Sequence, residues 1–145
     1  WFELTNLVIP GENDGDAEFD EMTGWVQSEL GPDVPMHFSA FHPDWKMMDT
    51  PRTPAETLVR ARRIAMQNGI RYAYVGNVHD KTHSSTFCHG CGDILIGRDW
   101  YQLSDWNLDA HGVCKTCGTH CAGVFQANPG TWGPKRQPVK LLSKT

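Results

Sequence analysis

The chain has 145 residues, of which 39% are hydrophobic and 21% are charged. These proportions are close to those of globular domains, and they exclude wholesale disorder and a chain built mainly of membrane spans. No apolar run approaches the roughly 18 residues that a membrane-spanning helix needs, and no signal peptide is recognisable. We therefore expect a cytoplasmic protein without membrane association. Because the sequence starts with Trp1 inside a strand-like pattern, we also expect an excerpt of a longer polypeptide.

Charge is distributed unevenly along the chain. Residues 1–85 carry seven Lys/Arg and thirteen Asp/Glu, for a net charge of −6, whereas residues 86–145 carry six and four, for +2. The acidic first part argues against a nucleic-acid footprint there. The basic residues near the C-terminus are too few to indicate one by themselves: Lys135, Arg136, Lys140 and Lys144.

The first part of the chain predicts a strand followed by a helix. The apolar-rich run WFELTNLVIPG, residues 1–11, ends in Pro-Gly and is typical of a strand. A helix should follow, with Asp14 or Asp16 as its cap and Gly31 at its end. Its apolar residues recur at helical spacing: Phe19, Met22, Val26 and Leu30.

A second strand–helix pair and a third strand come next. VPMHFSAF, residues 34–41, reads as a strand, and IRYAYVG, residues 70–76, as another. Between them Thr53, Pro54 and Glu56 have the spacing of a capping box that opens a helix. Alternation of strands and helices is the pattern of parallel βαβ units, and three strands do not close a barrel.

The periodicity ends near residue 82, so we predict a domain boundary between residues 79 and 86. His79, Asp80 and His83 should lie in a solvated linker there. The predicted units are residues 1–80, an α/β unit; residues 81–125, a cysteine-containing ribbon; and residues 126–145, a flexible tail.

Two cysteine pairs with the same two-residue gap, each followed by glycine, form the strongest signal in the sequence. The pairs are separated by 22 residues that read as strand, turn, strand, which would bring them together. A short Cys-x2-Cys gap lets both thiolates point at one ion, while the glycine accepts the positive φ of the turn. The pattern predicts a closed, structural zinc ribbon. The predicted ligands are Cys88, Cys91, Cys114 and Cys117.

Two other interpretations of the cysteines remain open. Disulfides are disfavoured by the odd total of five cysteines and the missing signal peptide. Iron in a rubredoxin-like electron carrier would use similar knuckles. His120 and Cys121 could substitute as ligands, although ordinary loop residues are the simpler interpretation.

Polar residues follow each of the three predicted parallel strands. In parallel α/β sheets, ligands bind beyond the carboxyl ends of the strands, so these residues are candidates for a binding site. Each also has a simpler interpretation as a turn, cap or loop residue. The candidates are Asn13, Asp14, His42, Asp44, Asn77 and His79.

The order of these motifs resembles a known family. LVIPGENDGD, then DVPMHFSAFHPDWKM, then PAETLVRARRIAMQNGIRYAYVGNV and the four-cysteine ribbon resemble the C-terminal part of the radical S-adenosylmethionine enzyme of the AmmeMemoRadiSam system, a relative of pyruvate formate-lyase activating enzymes. The resemblance runs from Trp1 to about Val124. It implies the C-terminal βαβαβ portion of a TIM-like (β/α) barrel, with the upstream half of the barrel as a partner.

The resemblance also implies chemistry and cofactors. In this family a 4Fe-4S cluster binds S-adenosylmethionine and cleaves it reductively to a 5′-deoxyadenosyl radical. By similarity, His42 matches a histidine that contacts S-adenosylmethionine, and Asn13 and Asn77 match edge positions that are candidate cofactor or substrate contacts. The family holds its cluster with a Cys-x3-Cys-x2-Cys motif that this chain lacks, so this chain alone should be inactive.

Partners follow from the same resemblance. If the family activates or modifies a protein, the loop of residues 44–54 is a candidate contact surface, or else a proline-stiffened connector. An alternative from another class is a ribbon module that binds protein or, with less support, nucleic acid. Basic and aromatic residues of the ribbon would serve it: Arg98, Trp100, Tyr101, Trp106 and Lys115.

Overall fold

A computed structural model describes residues 2–130 and 133–135 of the chain. Part of the predicted tail, together with Arg136, Lys140 and Lys144, lies outside the described residues. Residues 126–130 and 133–135 contain no helix or strand. Within the described ranges, none of the helices has the length and apolar character needed to cross a membrane.

The first unit is a three-stranded parallel sheet with two helices. The strands pair in the order β1-β2-β3, and Val8 lies opposite Ala40 while Ser39 lies opposite Gly76. Each strand pair is connected through a helix, so the predicted parallel βαβαβ arrangement is confirmed, as an open sheet. Its elements are β1 (Leu4–Val8), α1 (Asp16–Leu30), β2 (Met36–Ala40), α2 (Ala55–Gln67) and β3 (Ala73–Gly76).

One face of this sheet holds the hydrophobic core. Alternate strand residues such as Val8, Phe38 and Val75 point toward α1 and α2 and are almost fully buried. Phe19 of α1 meets Phe38 edge-on, with ring centroids 6.0 Å apart. Leu58 of α2 completes the contact. Burial of each such side chain contributes about 1.5–3 kcal/mol, which fixes both helices on this face.

The opposite face of the sheet is more polar and only partly covered. Leu7 of β1 is 46% exposed, and Thr5 beside it is exposed as well. His37, Ser39 and Tyr74 alternate with the core residues of β2 and β3 and are half-buried. The two helices therefore lie on one face alone, and the ribbon covers part of the second face beside Tyr74.

The first helix begins differently from the prediction. Gly15 occupies the position before α1 and supplies no side-chain cap. Asp14 instead accepts a hydrogen bond from the backbone N–H of Gly11 at 3.0 Å, which shapes the preceding turn. Asp16 lies in the first helical turn and pairs with Arg60 at 2.6 Å. The prediction of an aspartate cap was wrong because a salt bridge and a tight turn use these carboxylates.

The capping box predicted for the second helix is also wrong. The residue before α2 is Pro54, and no side chain caps this helix. The hydroxyl of Thr53 accepts a hydrogen bond from the backbone N–H of Phe41 at 2.8 Å and donates one to the backbone carbonyl of Val8 at 2.5 Å. Thr53 is 2% exposed. Thr53 therefore links the carboxyl ends of β1 and β2 by hydrogen bonds and does not cap α2.

The second unit is a three-stranded antiparallel sheet in the order β4-β5-β6. The predicted strand, turn, strand between the cysteine pairs is confirmed by β5 and β6. Of the three residues predicted to lie in a linker, His79 and Asp80 lie outside the helices and strands, whereas His83 lies in a short helix that the Asp80 carboxylate caps by accepting a hydrogen bond from the His83 backbone N–H at 2.9 Å. The elements are α3 (Lys81–Ser84), β4 (Thr86–Phe87), β5 (Ile94–Asp99) and β6 (Gln102–Trp106).

The two units pack against each other beside β3. Tyr72, just before β3, belongs to the buried cluster of the second unit, together with Leu95 and Leu108. The Tyr72 hydroxyl oxygen accepts a hydrogen bond from the backbone N–H of Ala122 at 3.0 Å. The predicted boundary at residues 79–86 thus marks a change from parallel to antiparallel sheet, and the three-part division of the chain stays a prediction.

Candidate metal centre

The four cysteines of the two Cys-x2-Cys pairs converge on one point. All four Sγ atoms lie within 4.8 Å of one another. The Sγ atoms of Cys88 and Cys117 are 3.5 Å apart, and those of Cys91 and Cys114 are 3.9 Å apart. Zinc bonded tetrahedrally to four sulfurs at about 2.3 Å would place them about 3.8 Å apart. A disulfide needs about 2.0 Å, so the disulfide interpretation does not fit.

Each pair forms the same tight turn. The N–H of Gly92 donates to the carbonyl of Cys88, and the N–H of Gly118 donates to that of Cys114, both at 2.9 Å. The two glycines have φ values of +81° and +78°, and a Cβ on either would meet no atom within 4 Å. Glycine is therefore required for its backbone conformation and not for space.

The two turns interlock through Thr119. A Cβ on Gly90 in the first turn would collide with the Thr119 side chain, whose Oγ1 lies 3.2 Å from Cys117 Sγ. The Thr119 carbonyl accepts a hydrogen bond from the N–H of Cys114 at 2.9 Å. The N–H of Gly90 also points at Cys88 Sγ, 3.4 Å away. These contacts hold the two cysteine pairs against each other.

The antiparallel strands position both turns. Cys88 follows β4, and its N–H donates to the carbonyl of Asp93, which leads into β5. The second turn lies beyond β6, where Leu108 pairs with Cys114. Cys88 and Cys114 are buried, whereas Cys91 and Cys117 are exposed. The centre therefore lies at the surface end of the ribbon with its inner half in the core.

His120 and Cys121 do not join the group of four, as their simpler interpretation predicted. His120 is exposed, and Cys121 is 3% exposed beside Tyr72. Burial raises the pKa of the Cys121 thiol, so it stays neutral. Cys121 is therefore a core residue of the second unit and not a metal ligand.

The thiols of the cluster lose their protons unequally when no cation is present. Hydrogen bonds from the side chain and backbone of Thr119, and then the Cys91 thiol, lower the pKa of Cys117 to about 6. The pKa of Cys91 rises to about 12: a hydrogen bond with the backbone of Asp93 lowers it, but partial desolvation and hydrogen bonds with the three neighbouring thiols outweigh that effect. A bound divalent cation would stabilise the thiolate form of all four cysteines, which is why such a cluster favours a metal.

The second group of candidate residues lies at the carboxyl ends of the parallel strands. The side chain of Asn13 accepts from the N–H of Ile9 at 2.6 Å and donates to the carbonyl of Leu7 at 3.0 Å. The side-chain N–H of Asn77 points at the carbonyl of Ala40, 3.3 Å away. The Asn13 side chain therefore bonds to the end of its own strand, β1, and the Asn77 side chain to the end of the neighbouring strand, β2.

His42 differs from the two asparagines in its exposure. It follows Phe41 at the end of the middle strand, it is exposed, and its Nδ1 lies 2.7 Å from the carbonyl oxygen of Pro43. Asn77 has a φ of +59° and its carbonyl accepts a hydrogen bond from Arg52 at 2.8 Å. The parallel register places Asn13, His42 and Asn77 at the end of the sheet where the carboxyl ends of the strands lie. Their role in ligand binding stays a prediction.

The remaining two candidates at this edge also have local partners. The Asp44 carboxylate accepts from the N–H of Trp45 at 2.7 Å. His79 Nε2 lies 2.9 Å from the carboxylate of Asp99 in β5. Both side chains therefore have a hydrogen-bond partner within the chain.

One site was missed by sequence reasoning altogether. A groove of about 560 Å³ runs between β3 and β5, and its walls include His37, Tyr74 and Arg98. These residues are far apart in sequence and meet only through packing of the two units. The alternation of polar and apolar residues in β2 and β3 was the one local signal that His37 and Tyr74 face away from the helices.

Comparison with known proteins gives one informative relative. The chain is 43% identical over 119 residues to the uncharacterized protein MJ0808 of Methanocaldococcus jannaschii. The match covers 81% of this chain and 36% of that protein, so the chain spans about a third of the length of this curated relative. No protein-family model matches the chain, and no solved structure matches it.

Proposed function

We propose that the chain is the C-terminal portion of a radical S-adenosylmethionine enzyme, in which it supplies barrel strands and a structural zinc ribbon. The observation that carries this proposal is the βαβαβ unit with both helices on one face of its parallel sheet. Consecutive units of a (β/α) barrel have this arrangement, with helices outside and the second face of the sheet inside. The upstream half of the barrel would cover the face that carries Leu7.

The size of the relative leaves room for this upstream half. Only 36% of the archaeal protein is matched. A longer protein of that kind has enough residues for the missing strands and for a cluster-binding segment. The relative therefore supports a multi-part protein without identifying its reaction.

The cofactors of the proposed enzyme divide between this chain and the rest of the protein. Five cysteines are present; four form the closed centre, and Cys121 is alone and buried. These residues do not fit a 4Fe-4S cluster that leaves one iron open to S-adenosylmethionine, so its ligands would come from upstream. His42 fits a contact to S-adenosylmethionine because it is exposed at the carboxyl end of β2.

The four-cysteine centre is proposed to hold zinc in a structural role. Four thiolates complete a tetrahedral shell, which leaves no coordination position for a substrate. The second unit has few large buried side chains, so a bound ion would supply much of its stability. Iron is distinguished by colour, since a rubredoxin-like centre is red and a zinc centre is colourless.

A protein substrate would meet the enzyme through the loop after His42. Trp45 in this loop is 80% exposed and Met48 is 66% exposed. Trp45 also has a φ of +48°, which is unusual for a bulky residue, and the Lys46 ammonium lies over its ring. Exposed aromatic and methionine side chains at the edge where ligands bind are typical of a protein contact.

The test uses the full-length protein that contains this segment. It is reconstituted anaerobically with iron and sulfide, reduced, and incubated with S-adenosylmethionine while release of 5′-deoxyadenosine is measured. We expect release, and we expect the exposed-histidine variant His42→Ala to bind S-adenosylmethionine at least about tenfold more weakly. His120→Ala, an exposed histidine of the ribbon, is the matched control. A reconstituted protein that holds its cluster but releases no 5′-deoxyadenosine would defeat the proposal.

A second candidate is a binding module built on the ribbon. Trp100 and Tyr101 form the turn between β5 and β6 and are 59% and 67% exposed. Exposed aromatic side chains serve as anchors for protein or as stacking platforms for single-stranded nucleic acid. Salt-sensitive binding of oligonucleotides by the zinc-loaded chain would support the nucleic-acid form, and its absence would remove that form.

A further inference from the structure

The groove between β3 and β5 has a volume of about 560 Å³. One wall comes from the face of the parallel sheet that the helices do not cover, and includes His37 and Tyr74. The other wall comes from the ribbon and includes Ile96, Arg98 and Trp100. Pockets for small ligands commonly have volumes of about 300–1,000 Å³ and mostly apolar linings.

The carboxylates in and beside the groove each have a basic partner. Glu3 lies 2.6 Å from His37 Nε2. Asp80 lies 2.6 Å from His83 Nδ1. Asp99 binds Lys81 at 2.6 Å and His79 at 2.9 Å. These acidic groups are therefore already paired with basic side chains in or beside the groove.

Arg98 differs from these residues because it has no acidic partner. Among the described residues, no carboxylate lies within ion-pair distance of its guanidinium. Its Nη1 donates to the hydroxyl of Thr86 at 2.5 Å, and its Cζ lies 5.3 Å from the ring centroid of Tyr74. The side chain is half-buried. A guanidinium that is fixed in place, partly desolvated and without a counter-charge is a ready site for a carboxylate or phosphate.

The walls around Arg98 are suited to a flat apolar group. The Tyr74 ring contacts both Arg98 and the stacked ring of His37, whose centroid is 5.1 Å away. Ile96 and Phe125 add apolar surface to the groove. An aromatic ligand that carries a negative charge would satisfy the guanidinium and bury its ring on these walls.

The turn at the mouth of the groove has a strained backbone. Trp100 has a φ of +53°, in a position that glycine or asparagine usually occupies. Its indole ring stacks on His79, with centroids 6.2 Å apart. Strain in a bulky residue at a cleft is a signature of functional sites. Trp100 is therefore placed to cover one end of a ligand held by Arg98.

We propose that the groove between β3 and β5 binds a small aromatic anion, with Arg98 contacting its carboxylate or phosphate and Trp100 and Ile96 contacting its ring. The binding site lies within this chain and needs no residue from an upstream barrel. It would bind its ligand whether or not the complete protein cleaves S-adenosylmethionine.

The test is a calorimetric and fluorescence titration of the zinc-loaded 145-residue chain. Phenyl phosphate and benzoate are the probes, because they present the two anionic groups on the same ring. Inorganic phosphate supplies the charge without the ring, and benzyl alcohol supplies the ring without the charge. We expect saturable binding of at least one probe, quenching of tryptophan fluorescence, and affinities at least about tenfold weaker for both controls.

Variants locate the site. Arg98→Gln should weaken binding of the better probe about tenfold or more, because it removes a charge-assisted hydrogen bond. Arg98→Lys should retain part of the affinity, and Trp100→Ala should weaken binding several-fold. Arg63→Gln, on the exposed side of α2, should change nothing. Circular dichroism and zinc content show that each variant remains folded.

Three outcomes would overturn the proposal. The first is that neither probe saturates up to about 10 mM, where even a weak specific site would be filled. The second is that folded Arg98→Gln and Trp100→Ala both bind as tightly as the unaltered chain. The third is that inorganic phosphate binds as tightly as phenyl phosphate, because the aromatic walls would then contribute nothing.

Discussion

The hydroxyl of Thr53 donates a hydrogen bond to the backbone carbonyl of Val8, 2.5 Å away and 45 residues earlier in the chain. Val8 is the last residue of β1, and Thr53 lies just before α2. The same hydroxyl accepts from the N–H of Phe41, which follows β2. One side chain therefore holds the carboxyl ends of two neighbouring strands together, at the edge where the candidate ligand contacts lie.

Replacing Thr53 with valine keeps the shape of the side chain and removes its hydroxyl. We expect Thr53→Val to lower the free energy of unfolding by about 1–3 kcal/mol, because buried backbone groups lose their partner. Denaturant melts of the zinc-loaded chain measure this. Thr57→Val in α2 is the matched control, since Thr57 is also buried but its hydroxyl makes no long-range contact within the described residues. Equal losses in the two variants would contradict this role for Thr53.

Removal of the metal should affect the two units differently. The cores are separate clusters: one contains Phe19 and Phe38 between sheet and helices, the other contains Cys88 and Cys114 themselves. Chelation should therefore unfold residues 86–125 and leave the first unit largely intact. Hydrogen exchange of backbone amides, with and without chelator, measures both regions in one sample.

The expected result is loss of protection in β5 and β6 and retained protection in α1 and α2. Re-addition of zinc should restore the lost protection. The contact of Tyr72 with Ala122 predicts a smaller loss at the start of β3. Unchanged protection at β5 and β6 in a metal-free sample would show that the ribbon does not depend on its ion.

The sequence predicted those features that short stretches determine. Strand and helix periodicity marked β1, α1, β2, α2 and β3, and the spacing of cysteine and glycine marked the metal centre. Both signals are local, because each depends on residues within one element or one turn. Their arrangement into a parallel sheet followed from the alternation of element types.

Features that depend on packing could not be predicted in this way. Thr53 has the spacing of a helix cap, but its hydroxyl bonds to the backbone of Phe41 and Val8 instead. Asn13 and Asn77 lie at the carboxyl ends of the strands, as predicted, but their side chains hydrogen-bond to backbone groups of the protein. The contact between Arg98 and Tyr74 requires the ribbon to dock on the sheet, which no periodicity encodes.

The glycine after each cysteine pair gives a third prediction. Gly118 has a φ of +78°, so Gly118→Ala should cost about 1–2 kcal/mol in a conformation that L residues disfavour. Because folding and metal binding are coupled, zinc affinity should fall about tenfold. Gly24→Ala in the middle of α1 is the control, since it should be neutral or stabilise the helix by up to about 1 kcal/mol. Competition with a chromophoric chelator measures the affinity, and unchanged affinity in Gly118→Ala would contradict the turn geometry.

The last prediction separates the four cysteines of the centre from the fifth. Cys117→Ser should abolish tight binding of one zinc ion per chain, because it removes one of four thiolates from a closed shell. Cys121→Ser should retain one ion and lower stability by about 1–3 kcal/mol, since it places a hydroxyl in the buried cluster beside Tyr72. Metal analysis after gel filtration gives the stoichiometry, and cobalt substitution reports the geometry through its visible absorption. Loss of the ion from Cys121→Ser, with Cys117→Ser still loaded, would exchange the two assignments: Cys121 would become a ligand, and Cys117 a surface residue beside the centre.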